Sequence, residues 1–232
     1  MLTEFDRQIR RAGGEVLIED DWAGVVSSDL DERTADAAIA AHVRRFAELG
    51  RAWEWKHYSY DQPADLADRL RGAGFTAEPT EALLVAVIDE LPTEAVLPPG
   101  VSIVPVADDV TAEQFVRVHN EVFGGDQAAV GRKLLADRQN QVGFVVVADG
   151  GPVSAARLEF HHGTEFASLW GGGTLAPWRG RGLFKALVAH RAGLAAAKGF
   201  RYLQVDASDD SSPILQRLGF AKLATTTPFT HP

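Results

Sequence analysis

The chain has 232 residues, a formal net charge of −9 and 46% hydrophobic residues. That length holds one large domain or two small ones, and the apolar content is ample for a packed core. The acidic balance argues against nucleic acid and anionic membrane surfaces as partners, and the lack of cysteine excludes disulfides, a thiolate nucleophile and cysteine metal sites.

Residues 1–11 are charged and lack an apolar core, so they do not read as a signal peptide, and no apolar run approaches membrane-spanning length. The expectation is a soluble cytoplasmic protein. Residues 16–18 and 22–26 read as short strands, and 31–49 as a helix with Ile39, Val43 and Phe46 on one face and Gly50 at its end. A strand over 52–58 follows. A helix starting at Asp61 or Gln62 runs to Gly74-Phe75, and 82–88 is a buried strand. The stretch from Leu91 to Gly100 is a proline-rich linker.

Beyond it, 101–106 reads as a strand, 111–123 and 126–138 as helices, and 143–148 and 153–160 as strands. Between the helices lie His119, Asn120 and Glu121, read as a polar helix face. His161 and His162 fall in a hairpin loop, where neighbouring side chains diverge, so no metal is assigned. Residues 165–175 form a strand interrupted by Gly171-Gly172-Gly173, which weaken a strand and could simply form a loop. A helix over 183–198, a strand over 202–207, a short helix ending in Gly219-Phe220 and a final strand or strand pair complete the chain.

The richest stretch is Arg179-Gly180-Arg181-Gly182-Leu183-Phe184, a basic, glycine-containing turn between a strand and a helix. The first N–H groups of a helix lack intrahelical partners and carry the positive end of its dipole. Two glycines bring the backbone close to a ligand and two arginines add fixed charge, so the turn suits an anion such as a diphosphate.

Here the sequence resembles the GNAT superfamily of acyl-CoA-dependent N-acyltransferases. Its signature, Arg/Gln-x-x-Gly-x-Gly/Ala, is matched from Arg179 to Leu183, whereas Phe184 stands where Gly or Ala is usual. That departure either narrows the CoA path or packs inward. A second family feature, a short helix ending in Gly-Phe, appears at Pro213–Phe220, and the resemblance covers about residues 100–232. It implies an α/β fold, a GNAT-like mixed central sheet with helices on both faces. It also implies a second reading of Gly171-Gly172-Gly173, a bulge and a close backbone approach in a strand that splays from its neighbour, and acetyl-CoA as co-substrate, with Gly173, Thr174 and Leu175 lining the pantetheine arm and Arg179, Gly180, Arg181, Gly182, Leu183 and Phe184 holding the diphosphate.

The reaction so implied is direct attack of a primary amine on the thioester. An amine of pKa about 10.4 is neutral in roughly one molecule per few thousand at pH 7, so a carboxylate base helps. Glu159 ranks first, on a strand near the expected splay point, followed by Glu165 and Glu121, with Asp206 as a further candidate; each is also readable as a plain surface charge. A backbone N–H near Leu175 is the implied oxyanion donor. The family's tyrosine acid falls on Leu215, and its asparagine after the following strand falls on Ser208.

Residues 1–90 repeat the order found from Phe166 onward: strand, helix, strand, helix ending in Gly-Phe, strand. Leu70, Gly74 and Phe75 align with Leu215, Gly219 and Phe220 at a constant offset. The expectation is a degenerate GNAT-like half domain over 1–98 and a catalytic domain over 99–232. The turn before the first repeat's helix, Ser27-Ser28-Asp29-Leu30-Asp31, has carboxylates in place of arginine and glycine and would repel a diphosphate. The acceptor is a small-molecule or peptide amine, and a homodimer is left open. A non-catalytic acyl-CoA-binding module is the alternative. A dinucleotide-binding oxidoreductase fits poorly, for Gly180-x-Gly182 lacks the third glycine of that fingerprint.

Overall fold

In a computed structural model, which describes residues 1–19 and 22–232, the periodicities of the sequence become an α/β order of elements. The first half runs α1 (Leu2–Phe5, continuing as a π-helical turn Asp6–Arg10), β1 (Val16–Ile18), β2 (Ala23–Val25), α2 (Ala35–Ala47), β3 (Trp53–Tyr58), α3 (Leu66–Gly72), β4 (Thr76–Ala77) and β5 (Glu81–Val87). There follow β6 (Ser102–Pro105), α4 (Asp109–Phe123), α5 (Ala128–Ala136), β7 (Gln141–Ala148), β8 (Gly151–Phe160), β9 (Phe166–Thr174), α6 (Leu183–Ala197), β10 (Tyr202–Ala207), α7 (Ser212–Arg217) and β11 (Ala221–His231). α1 and β4 carry no clear periodicity and are additions to the sequence reading. The tail is one long strand.

Packing divides the chain into two units, Met1–Val85 with Asp206–Pro232, and Ala86–Val205. In the first unit β1 is antiparallel to β2, β2 is parallel to β3, and β11 lies antiparallel between β3 and β5. Along β3, Trp53 and Trp55 point into a core with Ile39, Phe46, Leu66, Leu70, Phe75 and Phe229; Trp53 stacks on Phe46 at 4.1 Å. A division along the chain at residue 98 assigns β11 to the second domain, whereas packing assigns it to the first unit. The reason is its register, Phe229 opposite Trp55 and Thr226 opposite Glu81. The tail therefore builds this sheet.

In the second unit β6, β7, β8 and β9 are successively antiparallel and β10 runs parallel to β9. The sheet is mixed and has helices on both faces. Val145 and Ala155 join Phe115, Val118 and Leu134 under α4 and α5, while the neighbouring Phe144 points the other way and meets His190 of α6 at 4.7 Å. The proline-rich segment is packed against this unit: Gly193 on α6 leaves the room that the carbonyl of Thr93 occupies.

Candidate active site

The site is built on β9 and the turn that follows it. The parallel ladder between β9 and β10 pairs Phe166 with Tyr202, Ala167 with Leu203 and Ser168 with Gln204, and goes no further. Beyond Ser168, β9 continues to Thr174 beside β8 alone. In that stretch Ala155 pairs with Gly173 and Arg157 with Trp170, so Gly171 and Gly172 oppose the single Ala156: a β-bulge, with Gly171 at φ +53°. The glycines thus form a bulged strand, the second of the two readings the sequence left open.

Each of these glycines makes room for a neighbour. A Cβ on Gly171 would lie 2.5 Å from Cε1 of His119, one on Gly172 2.9 Å from the ring of Phe184, and one on Gly173 2.8 Å from Val122 and 3.1 Å from Phe123. Phe184 accordingly packs inward against the bulge. His119 is buried between Phe115 at 4.0 Å and Phe123 at 5.1 Å, and burial pushes its imidazole down to about 4 despite a backbone hydrogen bond at Gly171. Its Nε2 and the Nε1 of Trp170 have no partner among the described residues.

After Thr174 the chain makes a 3-10 turn, Ala176–Trp178, and enters the glycine loop. Gly180 and Gly182 have φ of +75° and +83°, a conformation that side chains disfavour, and nothing lies within 4 Å of a Cβ placed on either. Arg179 Nε donates to the carbonyl of Thr174 at 3.0 Å, which ties the loop to the end of β9. The Arg181 guanidinium lies 4.4 Å over the Trp178 ring. Among the described residues none accepts a hydrogen bond from the backbone N–H groups of Gly180 to Lys185, the first such bond of the helix being Ala186 N–H to Gly182 O. The result is a row of amide donors without an acceptor among the described residues at the positive end of α6, exposed at residues 180–182 and 185 and covered at Leu183, with two exposed arginines beside it.

The carboxylates fare differently. Glu159 is opposite Gln141 on β7 and Ser168 on β9, level with the end of the β9–β10 ladder. Ser168 donates to Gln204 Oε1 at 2.7 Å, and His161 Nε2 is 2.7 Å from the same hydroxyl. His161, placed by the sequence in a hairpin loop, is therefore partly buried in a polar row; burial lowers its imidazole, and Glu159 opposes that shift. The structure does not bring the other two candidates there. Glu165 faces Arg201 at 3.4 Å on the exposed start of β9, and Glu121 is exposed on α4, turned from the face that carries Phe115, His119 and Val122. Asp206 is paired with Lys56 in the first unit. The N–H of Leu175 is already given to Val153 O at 2.9 Å, so the expected oxyanion donor is spent; by alternation the N–H of Thr174 points to the open side of β9.

Two residues were missed in the sequence. His119 follows Phe115 by one helical turn, and that spacing placed it on the inner face. Arg191 sits in the apolar stripe of α6 and is 1% exposed; its Nε and Nη1 donate to the carbonyls of Leu187 and Arg157, each at 3.0 Å. Burial pushes this guanidinium down to about 9.

No family model matches the chain, and no curated protein matches it. Solved structures do. A GCN5-related N-acetyltransferase from Kribbella flavida superposes with a TM-score of 0.73 at 20% identity, over 100% of this chain and 92% of that one. The fold is the GNAT fold. A functionally unknown conserved protein from Staphylococcus epidermidis gives 0.70 at 13% identity, over 97% and 96% of the two chains. A tandem GNAT protein from the clavulanic acid biosynthesis pathway gives 0.65 at 16% identity, over 93% of this chain and 77% of that one. Among the described residues no helix is long and apolar enough to cross a membrane, and no group of three or more His, Asp or Glu is placed to hold a metal ion.

Proposed function

We propose that the chain is an N-acetyltransferase that moves the acetyl group of acetyl-CoA to a primary amine, by direct attack, in the cytoplasm and without a metal. The observation that carries this reading is the open row of N–H groups from Gly180 to Lys185 at the head of α6, beside a strand that has left its parallel neighbour. The diphosphate of the co-substrate would take those donors and Arg181, with Arg179 steadying the loop, and the arm would follow Gly173, Thr174 and Leu175. The acceptor nitrogen bonds to the thioester carbon, the carbon–sulfur bond breaks, and the amine proton leaves through Glu159 or a water held in the row it shares with Ser168 and Gln204. The thiolate departs without a tyrosine, because Leu215 is buried at that position and the only tyrosine of the second unit, Tyr202, is buried against Phe166. An ordinary thiol pKa of about 8.5 makes that tolerable.

The N-terminal half is proposed as a degenerate repeat of the same fold. In support, Gly74 and Gly219 both have positive φ, and Phe75 N–H reaches Leu70 O just as Phe220 N–H reaches Leu215 O, each at 3.1 Å. A non-catalytic acyl-CoA-binding module is the second reading, favoured by Leu215 and by the rings of Phe123 and Phe184 against the bulge. Thiol release from acetyl-CoA over a panel of amines separates the two: turnover supports the enzyme, and CoA binding without turnover supports the module. In the enzyme, Glu159→Gln should lower kcat by roughly a hundredfold and leave CoA binding intact. Unchanged kcat would remove Glu159 from the reaction.

A further inference from the structure

Arg191 is a buried cation without an anion. It stands on α6 among Leu187, Val188, Ala192 and Ala195, all buried, and is itself 1% exposed. Its Nε donates to Leu187 O on its own helix and its Nη1 to Arg157 O on β8. Nη2 has no hydrogen-bond partner among the described residues, and no carboxylate there pairs with the guanidinium. Burial depresses its ionisation, and no charged neighbour restores it. His190, next to it on α6, is held down by burial and then by the Arg191 charge. A carbonyl needs only a neutral donor, so the two bonds explain where the side chain lies and not why it is charged. A charge kept buried and unpaired is costly, and the chain itself offers nothing to compensate it.

The unpartnered nitrogen is at the bulge of β9. Nη2 lies 3.7 Å from the place that a Cβ on Gly172 would take, and the Phe184 ring lies 2.9 Å from the same point. Gly172 belongs to the stretch of β9 that runs beside β8 alone, after its ladder with β10 has ended. The carbonyl that Arg191 holds is that of Arg157, which pairs with Trp170 at one end of the bulge. The cation is thus tied to β8 and meets the bulge from the α6 side. Beside an apolar ring and away from open water, a charge acts more strongly on what is placed next to it.

The acetyl-transfer reading, on which this inference rests, brings the arm past Leu175, Thr174 and Gly173, so its sulfur arrives beside Gly172. As the amine nitrogen bonds to the thioester carbon, the carbon–sulfur bond breaks and its electron pair goes to sulfur. Leu215 stands where a tyrosine would protonate that sulfur. We propose that Arg191 is a catalytic residue, its Nη2 donating a hydrogen bond to the departing thiolate and its charge stabilising it in place of a proton donor. Arg191 keeps its proton, CoA leaves as the thiolate, and the amine proton departs by the Glu159 route.

The test needs no turnover: it is a pH titration of CoA bound to the full chain. The thiolate is followed by its ultraviolet absorbance, with protein-bound desulfo-CoA as the blank. The thiol of CoA on the parent protein should ionise at about 7 or below, against about 8.5 for an ordinary thiol. Arg191→Gln keeps a donor for the Arg157 carbonyl without the charge and should return the thiol to about 8.5. Arg191→Lys keeps the charge and should hold the thiol well below that value. Arg191→Met is the second charge-free variant, should glutamine disturb the helix. With acetyl-CoA and an accepted amine, the charge-free variants should lose about a hundredfold in kcat with little change in KM for acetyl-CoA. An ordinary thiol in the parent complex, or an equally acidic thiol in the charge-free variants, overturns the role of Arg191 and leaves the diphosphate assignment standing. Failure of the parent to bind CoA overturns both.

Discussion

The helices that follow β2 and β9 begin in opposite ways. Before α2, the Asp31 carboxylate accepts from Arg33 N–H and Thr34 N–H, each at 2.9 Å, and from the Thr34 hydroxyl; the hydroxyl first, then the two amides, hold that carboxyl below its usual range. The start of α2 thus carries its own anion. Before α6 the loop supplies none among the described residues, and its amide donors are left without an acceptor, with Arg179 and Arg181 nearby. The same local physics therefore closes one helix end and leaves the other for a ligand. In the proposed reading, a difference of a few residues decides which unit can hold a diphosphate.

The contrast breaks most severely if the charge of the second loop is reversed. Arg179→Glu with Arg181→Glu should cost about 3 kcal/mol of acetyl-CoA binding, roughly a hundredfold, read as loss of ligand-induced thermal stabilisation. Full stabilisation in that variant would sink the diphosphate assignment. The buried histidines offer a second contrast. His42 of α2 lies 3.2 Å from Glu15, whereas His119 has no acidic partner among the described residues and burial pushes its imidazole down to about 4. Between pH 4 and the ordinary histidine value of 6.5 the unfolded chain takes up a proton that folded His119 refuses, so stability is lost as pH falls through that window. His161 and His190 are lowered too and add to the slope. His119→Phe should remove about 2 kcal/mol of the difference in unfolding free energy between neutral and acid pH, measured by denaturant titration. An unaltered slope would mean that His119 is not the responsible group.

A smaller effect is expected from giving α6 the device that α2 has. Gly182→Asp places a carboxylate at the helix start, and acetyl-CoA affinity should fall about tenfold, followed by the fluorescence of nearby Trp178. The least effect is reserved for Asp31→Ala. It should lower the thermal midpoint slightly and leave acetyl-CoA binding as it was, and any loss of CoA affinity would contradict the assignment of roles to the two loops.

The order of strands and helices was legible, α1 and β4 apart, because each carries its own periodicity, and the turn at Arg179 was legible because its glycines fall between a strand and a helix pattern and adopt positive φ. Which strand lies beside which was not. Nothing in the residues of β11 announces β3 and β5 as its neighbours, since a strand's pattern records faces and not partners. Gly171-Gly172-Gly173 allowed a loop or a bulge, and only the register against β8 distinguished them. Glu121 and Glu165 were plausible by residue type alone. Their directions depend on helix phase and on the hairpin, and the first faces solvent while the second meets Arg201.

The place of β11 also bears on how the protein is made. The strand between β3 and β5 is translated more than a hundred residues after them, so on the ribosome those two strands wait with unpaired edges while the whole second unit emerges. Such late, distant pairing is slow and leaves edges open to other chains. Nascent chains stalled before Ala221 should therefore hold a folded second unit beside an N-terminal segment that proteases can cut, and chaperone dependence should track that interval.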